Sequence, residues 1–382
     1  MSECAGKSAP GGMGEIVRLF LRLGLTAFGG PAAHLVLMER EAVERRGWLS
    51  RERFLDLVGA CNLLPGPGST QVAMTLGYAR GGWMGLVAAG ACFILPASLA
   101  TLALAWAYVR YGSLPQAQGL LYGAKPVMVA VIFQAILKLG QTAYRSWSLA
   151  LSGLACFAAA LAGAPPVAVL LASGGLALVV ASLRSRTTAA AGIAWLPLGV
   201  GGATTGAAGL TSLFLVFLKL GVVVFGSGYV LLAFLKADLV DRLHWITEPQ
   251  LLDAITAGQV TPGPVFATAA FLGYLLRGWA GAAVATAAIF LPSFAMAGVV
   301  GALARHLRKS KPAAAFLDGV NAAAVALMVS VALALGRGAL LDGFAWTVCG
   351  ASAVLLVRFR VNATWLILGG AGLGILLHGL AR

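Results

Sequence analysis

Two sets of residues in this chain have the types and spacing to act on an anion. The first is Arg22 and Lys219, basic side chains inside long apolar stretches, each six residues ahead of a Phe-Gly pair (Phe28-Gly29 and Phe225-Gly226). A basic residue inside a membrane span costs roughly 2.5–3.5 kcal/mol on insertion scales, so it faces a partner or a water-filled path, or it snorkels to an interface. Both readings stand for Arg22, which lies only a turn or so inside its stretch. The second set follows a chain break, Leu64-Pro65-Gly66-Pro67-Gly68-Ser69-Thr70-Gln71, whose core recurs 197 positions later as Val260-Thr261-Pro262-Gly263-Pro264. A helix that starts just after such a break points free N–H groups and the positive end of its dipole at the break. Ser69, Thr70 and Gln71 add side-chain donors there, whereas the second copy has Val265, Phe266 and Ala267, leaving Thr268 as the nearest hydroxyl. The plainer alternative is a structural turn with capping hydroxyls.

Those residues require particular elements to hold them. Pro-Gly-Pro cannot continue a helix, because each proline removes a donor and clashes with the preceding turn. The stretch 54–63 before the first break, ten helical residues, rises roughly 15 Å, about half of a hydrocarbon core of roughly 30 Å. The stretch 68–78 after it is about as short, so the two read as a re-entrant hairpin or a discontinuous helix ending near the midplane. Broken backbone is tolerated at that depth only where protein or a water-filled cavity surrounds it. Asp56 and Asp253 are the acids in the half-helices leading to the breaks. They are candidates for pairing with a basic residue or for proton exchange, the alternative being N-terminal capping near the interface. His34 has no counterpart, Leu231 standing at its equivalent position, and reads as packing or interfacial; Trp48 and Trp245 read as interfacial anchors, and Asp318 has no acidic equivalent.

The 382 residues are 60% hydrophobic and 10% charged, with a mean hydropathy of +0.90. A soluble domain carries roughly 25% charged residues, so the composition is that of an all-α polytopic membrane protein. The net charge of +14 sits mostly in loops between apolar stretches, where it sets membrane topology rather than binding nucleic acid. Fifty glycines suit closely packed membrane helices. The five cysteines are scattered and indicate neither a disulfide framework nor a metal site, and no cofactor motif is present. Residues 1–14 form a short polar tail without signal-peptide features.

After an expected first span at 15–37 come a charged amphipathic stretch at 38–53 and the broken hairpin. Further spans are expected at 83–109, 120–139, 149–161 and 167–183. Residues 184–210 read as a linker between a first repeat, 15–183, and a second, 211–382. The second replays the first. Trp48 matches Trp245, Asp56 matches Asp253 and Pro65-Gly66-Pro67 matches Pro262-Gly263-Pro264 at an offset of 197; Gly77-Tyr78, Pro96 and Gly123 match Gly273-Tyr274, Pro292 and Gly319 at 196. Such a duplication suits a secondary transporter. About five spans and a hairpin per repeat make an odd count, which would invert the second repeat. The arginines agree, crowding the first loop of the first half (Arg40, Arg45, Arg46, Arg51, Arg53) and the second loop of the second (Arg305, Arg308, Lys309, Lys311). Walker loops, two-histidine metal spacing and Gly-x-Ser-x-Gly elbows are absent, so the expectation is a transporter and not an enzyme. A non-transporting membrane scaffold is the competing class.

The doubled pattern of Phe28-Gly29-Gly30-Pro31 with His34, the amphipathic stretch ending near Trp48, and Gly66-Pro67-Gly68-Ser69-Thr70-Gln71 resembles the chromate ion transporter family, in its long-chain two-domain bacterial form. The resemblance implies a multi-pass protein of the bacterial inner membrane that exports chromate at the expense of the proton motive force. Sulfate is the close chemical relative, the lipid bilayer the environment, and a homodimer one assembly to consider. The family's glycine/proline motifs fall here on Gly29, Gly30, Pro31, Pro65, Gly66, Pro67 and Gln71, and more loosely on Gly226, Gly228, Pro262, Gly263 and Pro264. The second copy departs at Ser227 and after Pro264.

Overall fold

The structure is a computed structural model that describes residues 12–28, 30–185, 209–225, 228–307 and 311–380. Gly29, Gly226, Ser227, the first eleven residues and most of the expected linker lie outside the described residues. The described chain is helical, without strands. Five of its helices are long and apolar enough to cross a membrane, and large apolar side chains such as Trp83, Met84, Leu99 and Leu151 stand exposed around the outside. The protein is a multi-pass membrane protein built of two repeats.

Each repeat begins with broken elements. Helix α1 (Met13–Thr26) stops at Ala27, and α2 (Pro31–Glu39) starts with proline in its first turn behind Gly30, whose φ of 81° suits glycine. A π-helical turn, Arg40–Arg45, continues α2. The chain then returns to where it began. The Trp48 indole N–H donates to the Glu15 carboxylate at 3.1 Å, and its ring lies 6.4 Å from Phe20. The stretch expected as a single first span is therefore folded back on itself, and each repeat carries two broken hairpins. The second follows at once. Helix α3 (Arg51–Cys61), capped by the Ser50 hydroxyl, leads into the Pro65-Gly66-Pro67 break, and α4 (Gly68–Tyr111) leaves it. Helix α4 bends sharply at Gly81 and Gly82, where Gly82 has a φ of 62°. Its arms fold together through Gly77 and Gly85, each too close to the other's carbonyl to admit a side chain. Helices α5 (Pro115–Ala143), α6 (Trp147–Leu161) and α7 (Pro166–Ser185) complete the repeat.

The second repeat has the same order. Helix α8 (Leu210–Val223) ends in a break, a short 3-10 turn leads to α9 (Leu231–Leu235), and a π-helical turn spans Lys236–Arg242. Helix α10 (Glu248–Val260), started by a capping box between Thr247 and Gln250, runs to the second Pro-Gly-Pro. Helix α11 (Thr268–Leu307) bends at Arg277-Gly278 as α4 does, followed by α12 (Lys311–Ala339), α13 (Gly343–Arg358) and α14 (Ala363–Leu380). The long arms of α4 and α11 run antiparallel, since Trp83 covers Gly298 while Gly90 faces Phe294. Equivalent helices packed antiparallel make the repeats inverted. They are also interlocked. Gly123 of α5 packs on Gly370 and Gly374 of α14, and Gly319 of α12 packs on Ser173 and Ala177 of α7.

Candidate functional site

Each of the two breaks is seated on the other repeat. The Gly66 N–H donates to the Val224 carbonyl at the end of α8 (2.6 Å), and the Gly263 N–H donates to the Ala27 carbonyl at the end of α1 (2.9 Å). These bonds are equivalent under the duplication. Both tips need glycine: φ is 109° at Gly66 and 104° at Gly263. They satisfy helix-end carbonyls that would otherwise be unpaired deep in the protein.

Chemically the tips differ. At the first, the N-termini of α2 and α4 come together, joined by His34 Nδ1 and the Ser69 hydroxyl at 3.3 Å. His34 Nε2 lies 3.1 Å from the Ala27 carbonyl, which only accepts, so Nε2 carries the proton and Nδ1 accepts from Ser69. Gln71 donates its side-chain amide to the Pro65 carbonyl at 2.5 Å, bracing the turn rather than offering a free donor. Ser69, Thr70 and Gln71 are all buried. Among the described residues the Thr70 hydroxyl and the Ser293 hydroxyl of α11 have no hydrogen-bond partner, nor does the Gln71 side-chain oxygen Oε1. Ser293 lies against Gly66, 3.0 Å from where a Cβ would project. The first N–H groups of α4, at Gly68 and Ser69, precede its helical ladder. The tip thus gathers two helix N-termini and unspent hydroxyl donors in a buried place, an arrangement suited to an oxyanion.

At the second tip, Phe266 and Ala267 are buried in place of Ser69 and Thr70, Ala97 meets Gly263 where Ser293 meets Gly66, and Leu231 stands for His34. Gly228 is buried against Val265, and the Thr268 hydroxyl is spent on the Val265 carbonyl at 2.8 Å. Pro264 caps the turn here as Pro67 does in the first tip.

Arg22 and Lys219 lie further down α1 and α8, away from the tips, and the structure pairs them with acids. Lys219 donates to both oxygens of Asp238 at 2.8 and 3.0 Å, and Arg22 reaches Glu41 at 4.0 Å. Each acid, set by a π-helical turn, also binds at least one further basic side chain. Asp238 holds Arg242 at 3.2 Å; Glu41 holds Arg45 at 2.6 Å and Arg46. Glu41 and Asp238 are themselves equivalent positions at the offset of 197, a repeat-level signal in the sequence that lies away from the breaks. Asp56 is half-buried on α3. Asp253 is 4% exposed and paired with Lys125 of α5 at 3.2 Å. Lys125 satisfied the same criterion as Arg22, a cation within an apolar span, but its equivalent is Asn321 and the duplication did not mark it. A cavity of about 240 Å³ between α6, α7 and α12, lined in part by Ser146, Ser152 and Asp318, shares no residue with the tips. No group of metal-ligating side chains occurs among the described residues.

Comparison with known proteins agrees with this duplicated architecture. The chromate transporter family model matches twice, at residues 14–178 and 211–375. A chromate transport protein of Cupriavidus metallidurans is 33% identical, over 94% of this chain and 91% of its own length. A probable chromate transport protein of Synechococcus elongatus is 32% identical over 86% of each chain, and a chromate transport protein of Pseudomonas aeruginosa is 31% identical over 85% of this chain and 81% of its own. No solved structure matches. With both repeats matched and the relatives covered nearly end to end, the chain belongs to the chromate transporter family.

Proposed function

We propose that the protein is a secondary transporter, not an enzyme, that exports chromate from the cytoplasm across a bacterial inner membrane, driven by the proton motive force. The anion binds at the first break, between the N-termini of α2 and α4. The observation that carries this reading is the pair of buried, unpartnered hydroxyls, Thr70 and Ser293, beside two helix N-termini. A protein does not leave such donors dry without cost, about 1–3 kcal/mol each, unless a ligand or water takes them. At the second tip Phe266, Ala267 and Ala97 stand in place of Ser69, Thr70 and Ser293, so those three hydroxyls are not repeated and one dianion per cycle is expected. Gly30, Pro31, Gly66, Pro67 and Gly68 shape the turns, Gly29 and Gly228 extend the motif, and Arg22 and Lys219 supply positive potential from below. The five-residue step from Arg22 to Ala27 rises roughly 7.5 Å, too far for a direct ligand without a change of shape.

Sulfate is a tetrahedral dianion of the same charge and donor requirement, and it competes for the site. The test is uptake of labelled chromate by the purified protein in liposomes, with and without an imposed pH gradient, with sulfate as competitor. Gradient-stimulated uptake that sulfate blocks is the expected result. Absence of uptake by folded protein under either gradient polarity would remove the reading and favour a scaffold. Gel filtration of the same preparation, with a homodimer as the expected state, completes the description.

A further inference from the structure

Asp253 is gripped by the opposite repeat through both of its oxygens. The Lys125 ammonium of α5 is 3.2 Å from Oδ1, and the Tyr108 hydroxyl of α4 donates to Oδ2 at 3.1 Å. Helix α10, which carries Asp253, packs against α4, α5, α11, α12, α14 and the turns Lys236–Arg242 and Val265–Ala267. Among the described residues these two groups are the only titratable or charged ones that these neighbours bring to Asp253. At the equivalent positions of the other repeat stand Asn321 and Ala304, so this Lys–Tyr pair is not repeated at those positions. The asymmetry is opposite in place to that of the donor-rich tip. The first hairpin has the polar tip, and the second has the clamped acid.

An ion pair buried between two repeats is a poor stabiliser, since apolar side chains of similar volume would do as well. It also joins the elements that must move relative to one another if the inverted repeats alternate access. We propose that Lys125 and Asp253 form the proton-coupling pair, with Tyr108 as the positioning hydroxyl. When α10 parts from α5, a proton from water adds to the Asp253 carboxylate and gives the neutral acid, while Lys125 stays an ammonium. When the pair closes again on the other side, the ammonium expels that proton to water. No bond to the anion forms or breaks. The carboxylate takes up the proton on the outer side and releases it on the cytoplasmic side, so the proton crosses on the return step of the empty site and its inward flow drives the anion outward. This assignment rests on the transporter reading given above.

The experiment compares wild type, Lys125→Gln, Lys125→Arg and Asp253→Asn as full chains in liposomes, reading chromate exchange at equal pH on both sides and uptake driven by a pH gradient. Lys125→Gln and Asp253→Asn are expected to keep exchange and lose gradient stimulation. The pH profile of exchange should move up by about one unit in Lys125→Gln, because an adjacent cation is what favours the carboxylate, and should flatten in Asp253→Asn. Lys125→Arg should restore the wild-type profile. If a single variant does not fold, the double variant Lys125→Gln/Asp253→Asn leaves no unpaired ion and should exchange without pH dependence. Retention of gradient stimulation and the wild-type profile in the folded variants would overturn the proposal. So would a proportional loss of exchange and driven uptake, which a structural clasp predicts. Failure of the transporter reading looks different: the wild type itself would not exchange.

Discussion

At the scale of the residue, the donor-rich tip stands on a few atoms, and the strongest constraint is on Gly66. A Cβ there would lie 2.8 Å from Gln71 Nε2 and 3.0 Å from Ser293 Oγ, in a left-handed backbone that costs other residues roughly 1–2 kcal/mol. Gly66→Ala should therefore insert and lose at least about tenfold in chromate exchange, because the displaced groups are the brace and the donor. Normal exchange by that variant would mean the tip does not hold the anion. Thr70→Val and Ser293→Ala remove a hydroxyl each and should raise the half-saturating chromate concentration by roughly tenfold, without loss of expression. The basic pair follows a different logic. Lys219 is 22% exposed on a buried Asp238 and Arg22 is 61% exposed, so Lys219→Met should cost about 1–3 kcal/mol and Arg22→Met under about 1, read as melting temperature in detergent. A cation inside an apolar span singles out both residues in the sequence, but that feature does not supply Glu41 and Asp238. Those acids are brought back by the return of the first hairpin, and that return has no local signature.

At the scale of the element, length misleads where proline does not. The stretch 15–37 is long enough to cross a bilayer, and its Gly29-Gly30-Pro31 break reads as the end of a span; the meeting of Trp48 with Glu15 shows that the chain folds back there. The Pro-Gly-Pro breaks, in contrast, were legible because proline and glycine act through the backbone wherever they stand. The bends of α4 and α11 are held by close glycine contacts, and a Cβ on Gly77 would lie 2.3 Å from the Gly85 carbonyl oxygen. Gly77→Val should reduce the monodisperse fraction on size-exclusion chromatography severalfold, while Gly59→Ala, which meets open space, should leave it unchanged. The cap of α13 is sensitive to pH. The Tyr122 hydroxyl and the Ala345 N–H donate to Asp342 and hold its carboxyl below the ordinary 3.8. A depressed carboxyl contributes stability that is present above its unfolded value and lost as pH falls through its folded value. Asp342→Asn should therefore melt earlier than wild type at pH 6, and the gap should close as the pH falls below the ordinary carboxylate range.

At the scale of the whole molecule, the inverted repeats explain why neither half completes a site alone. The first tip is closed by Val224 and Ser293 from the second repeat, the second by Ala27 and Ala97 from the first, and α5 and α12 each pack on the last helix of the other repeat. Duplication lets one broken hairpin be reused, and divergence then separates its jobs, with donors at the first tip and the Lys125 clamp at the second. Inversion is what places those two chemistries on elements that face opposite sides of the membrane, so it is the property most worth testing directly. Glu44 and His244 are exposed in the equivalent turns between the two hairpins of each repeat. In a background with all five cysteines replaced, Glu44→Cys and His244→Cys should react with a membrane-impermeant maleimide from opposite faces. With the arginine-rich turn at 40–53 on the cytoplasmic side, intact cells should label His244→Cys alone and Glu44→Cys only after permeabilisation. Labelling of both from one face would make the repeats parallel. The antiparallel seating of α4 on α11 would then be wrong, and with it the division of labour between the two breaks.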